Sequence, residues 1–232
     1  MRDPISIPGV AKADATRFNP GGIAGVWAEE NSRESLFAAL KRKETFGTSG
    51  PRILPRFFAG WNYDDNLCNS TTMIEQAYAH GVPMGGDLSA IPDSNAKPTF
   101  LVNALMDNKA GATPLQKIQI IKGWTDSDGN MQQRVIDVVG DNLPSSSVDV
   151  DSCQRSEGGH SSLCTVWTDK DFDPSQSVMY YARVVENPSC RWTTYDCNSL
   201  PEDSKPAVCA STTLDKTIQE RAWTSPIWYT PE

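Results

Sequence analysis

The feature that most constrains the fold of this chain is a series of short segments rich in β-branched and aromatic residues, which begins after Pro51. Clusters of Gly, Pro, Asp and Ser separate these segments, as is typical of strands joined by turns. The pattern predicts strands at 53–58, 99–105, 117–124, 133–139, 163–168, 178–186 and 226–229. Six or seven short strands indicate a mainly β fold, and we expect a β-sandwich-like domain.

The connections between these strands differ in kind. The run from Asp126 to Asn130 has the composition of a hairpin loop. The stretches 62–98 and 187–224 are too long for plain loops in a folded domain. The first of them contains a short apolar run at 74–79, for which we predict a helix.

The clearest helix signal lies before the strands, at 32–44. Asn31 can act as its N-cap, with Glu34 three residues later as the partner in a capping box. Its apolar face consists of Leu36, Phe37 and Leu40. A β-domain alone does not provide an obvious cover for this face, so we expect part of it to be exposed as an apolar patch.

Composition excludes two classes of function. The chain of 232 residues carries a formal net charge of −8, which argues against a nucleic-acid partner because phosphate binding needs a cationic face. It has no apolar run of the length that a membrane-spanning helix requires. The N-terminal residues have no apolar core of a signal peptide, so an export signal, if there is one, is not on this sequence.

The six cysteines favour disulfides over a zinc site. No CxxC pair is present, and His80 and His160 are the only histidines. An even number of cysteines suits an oxidising, extracytoplasmic compartment, either periplasmic or secreted. We predict that Cys153 pairs with Cys164 across a Gly- and Ser-rich loop. The pairing of the other four stays open: Cys68, Cys190, Cys197 and Cys209, with a second bridge expected among the last three.

No catalytic residue or metal ligand set is evident. Two histidines in separate loops are poor material for a metal site that needs several converging ligands. The run from Asp169 to Pro174 begins like a calcium loop, but Pro174 stands where such a loop turns on Gly and no Glu closes it. A turn held by Asp side chains is the better interpretation. We therefore expect no cofactor in this chain.

The aromatic residues suggest that the chain could bind a ligand or a partner on its surface. Trp192, Trp223 and Trp228 lie near Arg191 and Arg221 in sequence. Exposed aromatic rings beside arginines can bind a sugar or a protein surface, whereas buried ones only pack the core.

Several sequence blocks together resemble domain-of-unknown-function family 3604. They are NPGGIAGVWAEENSRESLFAALKRKETFGTSGPR at 19–52, GVPMGGDL at 81–88, IQIIKGW at 118–124, WTDKDFDP at 167–174, YYARV at 180–184 and TIQERAWTSPIWY at 217–229. The blocks occur in family order and cover nearly everything from Asn19 onward.

The resemblance implies a fold and a function that the residues alone do not. Members of the family look like relatives of the polymerase and histidinol phosphatase (PHP) metallohydrolases, which hold divalent metals by His and Asp at the strand ends of a distorted β/α barrel. The ligand-bearing segments would lie upstream of Asn19, in an N-terminal half that this sequence does not contain. That missing barrel would be the partner of this chain and would carry the divalent metals.

On this view the chain divides into an irregular tail at 1–18, the last element of a truncated barrel at 19–50 and a C-terminal β-sandwich-like domain at 51–232. The expected function is that of a C-terminal fragment of a PHP-like hydrolase of esters or phosphoesters, inactive on its own. The candidates for substrate-facing groups are Glu29, Glu30, Arg191 and Arg221. The alternative is a stand-alone β-sandwich module that binds a glycan or a protein.

Overall fold

The computed structural model describes residue 18 and residues 21–231, and this part of the chain is mainly β, as predicted. The strands are β1 (Ile23–Val26), β2 (Thr45–Thr48), β3 (Leu54–Gly60), β4 (Gly81–Pro83), β5 (Thr99–Leu105), β6 (Leu115–Thr125), β7 (Met131–Gly140), β8 (Ser162–Thr168), β9 (Val178–Glu186), β10 (Ser189–Cys190), β11 (Thr217–Ile218), β12 (Arg221–Thr224) and β13 (Ile227–Tyr229). The helices are α1 (Arg33–Lys41), α2 (Met73–Ala79) and α3 (Trp192–Ser199).

The strands form two main antiparallel sheets and one small ribbon. The larger sheet has the order β1-β2-β12-β9-β6-β7, with β13 also paired to β9. The smaller sheet has the order β4-β3-β5-β8, and β10 pairs with β11 in the ribbon. The predicted hairpin loop joins β6 to β7, where the carboxylate of Asp126 accepts the backbone N–H of Asp128 and Asn130.

The main core lies between the two sheets, which confirms the sandwich. Phe57 and Phe100 from the smaller sheet stack with ring centroids 5.6 Å apart. Phe100 also contacts Tyr180 of the larger sheet, at 4.4 Å between centroids. Because side chains alternate along a strand, the inward residues of β9 are those at even positions, such as Tyr180 and Ala182.

The smaller sheet is buried on its outer face as well. Phe57 points into the main core, while its neighbour Phe58 packs in a second cluster with Leu101 and with Ala77 of α2. The segment from Trp61 to Pro83 provides this second layer, which explains why it is longer than a plain loop. The predicted helix at 74–79 is confirmed as α2.

The disulfides are Cys68–Cys164, Cys153–Cys190 and Cys197–Cys209, so the predicted Cys153–Cys164 pair is wrong. Cys164 lies on β8 and faces the outer layer, where Cys68 lies in a short 3-10 helix, Leu67–Asn69. The loop between the two predicted partners does not close on itself. It is held instead by Ser156, whose N–H donates to the carbonyl of Ser147, and by a bridge between His160 and Leu115.

The segment at 19–50 contributes to the larger sheet. β1 pairs with β2, and β2 pairs with β12 near the C-terminus. Its helix is shorter than the predicted 32–44, because Lys43 has a φ of 61° and turns the chain into β2. The N-cap is Ser32 rather than Asn31, and its side chain accepts the N–H of Ser35. The assignment of 19–50 to a barrel stays a prediction, and the predicted tail at 1–18 lies outside the described residues except for Phe18.

Candidate functional site at the base of helix α1

Helix α1 joins the end of β1 to the start of β2 at one end of the larger sheet. Val26 and Thr45 are paired across these two strands, so the helix forms an arch over adjacent strand ends. The N–H of Trp27 donates to the carbonyl of Glu44 at 3.0 Å and closes the base of the arch. Within α1 only Ala39 is fully buried.

The apolar face of α1 is largely exposed, as predicted. Phe37 is 67% exposed and Leu40 is 56% exposed, while Leu36 is half-buried. A single exposed leucine is ordinary on a protein surface, but two large apolar side chains on adjacent turns of one helix form a patch. This helix therefore presents an apolar surface that the described part of the chain does not cover.

An open cleft of about 620 Å³ lies at the base of the same helix. One side of the cleft is lined by residues that precede the helix, Trp27, Ala28 and Glu29. The other side is lined by Arg42 and Glu44, which follow the helix. The floor and far wall come from Arg56 on β3, Tyr78 on α2 and Pro83 on β4. Elements that are distant in sequence thus meet at this point.

Glu44 is the centre of the cleft. Its side chain is 3% exposed, and Arg42 Nη2 donates to its Oε2 at 3.4 Å. Arg56 Nη1 lies 3.6 Å from its Oε1, and Tyr78 donates its hydroxyl to the same oxygen. A buried carboxylate is tolerated only when it is paired and hydrogen-bonded, and these three groups satisfy that condition.

Arg56 is held in a fixed position by its neighbours. Its guanidinium lies over the ring of Trp27, 3.5 Å from the centroid, and its Nη1 donates to the hydroxyl of Tyr78 at 3.1 Å. Trp27 is itself fixed, because its Nε1–H donates to the carbonyl of Pro55 at 2.9 Å. Tyr78 packs edge-on against Phe58. The guanidinium is thereby oriented before any ligand arrives.

Tyr78 acts in this cleft as a neutral donor. Burial raises the pKa of its hydroxyl, and the adjacent Glu44 carboxylate raises this pKa further. A phenol is already protonated at neutral pH, and a higher pKa keeps it so. The tyrosine is therefore a hydrogen-bond donor and not a nucleophile.

The residues predicted from sequence are only partly brought together. Glu29 is exposed at the rim of the cleft. Glu30 is exposed and accepts a hydrogen bond from the Ser32 hydroxyl at 2.7 Å, so it belongs to the helix entry. Arg191 precedes α3, and Arg221 is exposed on β12 with its backbone bound to Ser49. Neither arginine lines the cleft.

Sequence reasoning missed the polar residues at the centre of the cleft. Arg42 lies between Lys41 and Lys43 at the end of the helix, where basic residues suit the helix dipole and do not by themselves indicate a site. Arg56 carried a usable signal, since it is a charged residue inside a predicted apolar strand. No local pattern, however, indicated that Glu44 and Tyr78 would meet it.

The histidines and aspartates considered as metal ligands have other partners or stand alone. His80 is exposed at the end of α2, and His160 Nε2 lies 3.0 Å from the carboxylate of Asp141. Asp169 is buried, with Lys122 Nζ at 2.6 Å and the hydroxyl of Tyr180 at 2.5 Å. The predicted turn held by Asp side chains is confirmed, because Asp169 also accepts the N–H of Asp171. Among residues 21–231 no cluster of three or more His, Cys, Asp or Glu is arranged to hold a metal ion.

Comparison with known protein families shows to which family the chain belongs. The model of the family described as "Protein of unknown function (DUF3604)" matches residues 4–231. The chain belongs to this family. No curated protein and no solved structure matches the DUF3604 chain. Its three disulfides indicate an oxidising, extracytoplasmic compartment, and no helix in the described part is long and apolar enough to cross a membrane.

Proposed function

We propose that this DUF3604 chain is the C-terminal domain of a PHP-like, metal-dependent hydrolase of esters or phosphoesters. The metal-binding barrel of such an enzyme would precede residue 19 and would pack on the exposed face of α1. We further propose that the parent protein works in the periplasm or outside the cell, which agrees with the disulfides.

The observation that carries this proposal is the exposure of Phe37 and Leu40 on α1. Burying a Phe or Leu side chain is worth about 1.5–3 kcal/mol relative to leaving it in water. A helix that keeps both in solvent therefore forgoes several kcal/mol unless a further surface covers it. A barrel domain joined at this end of the larger sheet would provide that surface.

The side chains of this chain explain why we assign the metal site to the barrel and a supporting role to this chain. Hydrolysis by a metal-activated water needs ligands that fix the metal and leave one coordination position open. His160 is engaged with Asp141, and Asp169 with Lys122 and Tyr180. These residues do not fit a His-rich metal cluster. The role of this chain would be to support the barrel and to border its mouth through the Trp27–Glu29 loop.

The test is a binding and activity measurement on the two halves of the parent protein. The coding sequence upstream of Met1 should encode an in-frame Asp-x-His, and the half that it encodes should bind the 232-residue chain. Phe37→Asp and Leu40→Asp should each weaken this association by at least about tenfold, since each removes roughly 1.5–3 kcal/mol of burial. Esterase or phosphoesterase activity with manganese or zinc should require the upstream half.

Met131→Asp is the matched control, because Met131 is 90% exposed on β7 and far from α1 in the sheet order. Equal association of the Phe37→Asp and Met131→Asp variants would refute the docking face. Turnover by the 232-residue chain alone, lost in His80→Ala or His160→Ala, would show that this chain carries the active site. That result would refute the assignment of the chemistry to the upstream half.

A glycan-binding module is the second candidate, and one observation favours it. Trp223 is paired with Arg183 and Trp228 with Met179, so both tryptophans lie on the outer face of the larger sheet. Trp228 is 45% exposed. Aromatic rings on one sheet face suit the faces of sugar rings. Saturable binding of an oligosaccharide that Trp228→Ala abolishes would support this function.

A further inference from the structure

We infer that the cleft at the base of α1 is a binding site for an oxyanion, such as the carboxylate, phosphate or sulfate group of a small aryl or glycosyl ester, and that Arg42 and Arg56 bind it. The inference goes beyond the proposed function because it concerns a site formed by this chain alone. It stands or falls independently of the upstream barrel.

Both arginines of the cleft pair with Glu44, while the second acid of the cleft, Glu29, lies at the rim and forms no ion pair with either of them in the described part of the chain. Two guanidinium groups, those of Arg42 and Arg56, share the single carboxylate of Glu44. Both oxygens of that carboxylate are occupied, since Tyr78 and Arg56 lie at Oε1 and Arg42 at Oε2. These contacts engage one nitrogen of each guanidinium, and no other N–H group of Arg42 or Arg56 donates to Glu44 in the described part of the chain.

Those remaining N–H groups suit an oxyanion. A guanidinium has five N–H donors in a planar fork that matches carboxylate and phosphate oxygens. Arg42 uses one nitrogen on Glu44, and Arg56 uses one on Tyr78. Arg42 is half-exposed at the cleft, whereas Arg56 is only 20% exposed and lies deeper. The two present donors at different depths of the same cleft.

The orientation of Arg56 is fixed before binding. Stacking on Trp27 at 3.5 Å and the bond to Tyr78 restrict its side chain. A long side chain that is free in the unbound protein loses about 0.5–1.5 kcal/mol of entropy when a ligand immobilises it. Arg56 has already undergone that loss on folding, which is a property of prepared binding sites rather than of surface arginines.

The walls of the cleft define the rest of the ligand. Trp27, Tyr78 and Pro83 contribute ring surfaces, and a volume of about 620 Å³ falls within the range of small-molecule sites, roughly 300–1,000 Å³. An anion attached to a ring fits this combination. Glu29 at the rim carries a charge of the same sign as the ligand, so removing that charge should strengthen binding.

The experiment titrates the 232-residue chain with phenyl phosphate, phenyl sulfate and benzoate, followed by calorimetry and by tryptophan fluorescence. We expect saturable binding of at least one of them that weakens as salt is added, and no comparable binding of neutral benzamide. Arg42→Gln should weaken it about ten- to a hundredfold, the range for loss of a hydrogen bond to a charged group. Glu29→Gln should tighten it about twofold to fivefold.

Arg134→Gln is the matched control, because Arg134 is an exposed arginine paired with Asp171 at another cavity. Arg56→Gln leaves Glu44 with fewer partners and can impair folding, so it is paired with Glu44→Gln in a double variant. The three ligands compared with each other identify the oxyanion. Unchanged affinity in Arg42→Gln, or equal affinity for benzamide, would show that the arginines serve only to neutralise Glu44 and would overturn the inference.

Discussion

Glu186 at the end of β9 makes the stability of this domain dependent on pH. Its side chain is 1% exposed, and its Oε1 has no hydrogen-bond partner among the described residues. Burial and, after it, the neighbouring carboxylates of Glu220 and Asp107 together raise the pKa of this carboxyl from 4.5 to about 8, against an opposing effect of Arg155. The group is therefore neutral in the folded protein at pH 7 and ionised in the unfolded chain.

The sign of the effect follows from where the proton is bound. Below pH 4.5 both the folded and the unfolded state carry the proton, so the contribution of Glu186 to the free energy of unfolding does not change with pH. Between 4.5 and about 8 the folded state keeps a proton that the unfolded state releases, so the free energy of unfolding falls as the pH rises. At about 1.4 kcal/mol per unit, a shift of this size amounts to about 5 kcal/mol across the window.

The perturbation is Glu186→Gln, which keeps the shape of the side chain and removes its titration. We expect the variant to match the parent protein within about 1 kcal/mol near pH 5. At about pH 8 it should be more stable by several kcal/mol, up to about 5. The assay is urea unfolding of both proteins with disulfides intact, followed by far-ultraviolet circular dichroism across this range.

Glu202→Gln serves as the control, because the side chain of Glu202 is 89% exposed on the surface. It changes the net charge by the same amount and should leave the pH dependence as it is. The reasoning about Glu186 would be refuted if the difference between Glu186→Gln and the parent protein were the same at both ends of the pH range. A difference that grew equally in Glu202→Gln would assign the effect to net charge.

Two further predictions concern the covalent and steric constraints on the fold. Peptide mapping without reduction should return the pairs 68–164, 153–190 and 197–209. Removing the first pair by Cys68→Ala with Cys164→Ala should lower stability by about 4–5 kcal/mol, because it closes a loop of 96 residues; a loss no larger than that for the 197–209 pair would contradict this. Gly85→Ala should destabilise by about 1–3 kcal/mol more than Gly111→Ala in thermal unfolding, since both have positive φ but only a Cβ at Gly85 would meet backbone, the Lys43 carbonyl at 2.3 Å. Equal losses would show that φ alone decides.

The strands found from sequence are those whose side chains alternate between two environments. β5 and β9 begin and end at the predicted residues, and β6 and β7 each begin two residues before and end one residue after the predicted strand. β2 and β12 were missed. Each has only four residues, and one of them contains a glycine. Their extended form depends on pairing Thr48 with Ala222, residues that no local pattern connects.

Helix α3 was missed for a related physical reason. The segment 192–199 has no apolar periodicity, so no amphipathic face announces it. It is held by the Cys197–Cys209 disulfide and by the Thr194 hydroxyl, which donates to the carbonyl of Lys216 at 2.7 Å. A helix stabilised by covalent and tertiary bonds rather than by its own pattern is not visible to a periodicity argument.

The cleft at the base of α1 is likewise not visible to local sequence patterns, because its residues meet only through the tertiary fold. The polar side chains at its centre come from three elements: the end of α1, strand β3 and helix α2. The lone charge of Arg56 in an apolar strand indicates that some partner must exist, because a charge in a strand buried on both faces needs one. The partner is determined by where the chain turns at Lys43, which places Glu44 beneath Trp27. A motif search therefore has nothing to match at this site, whereas a list of charged residues inside predicted apolar strands would have led to Arg56 and, through the fold, to the cleft.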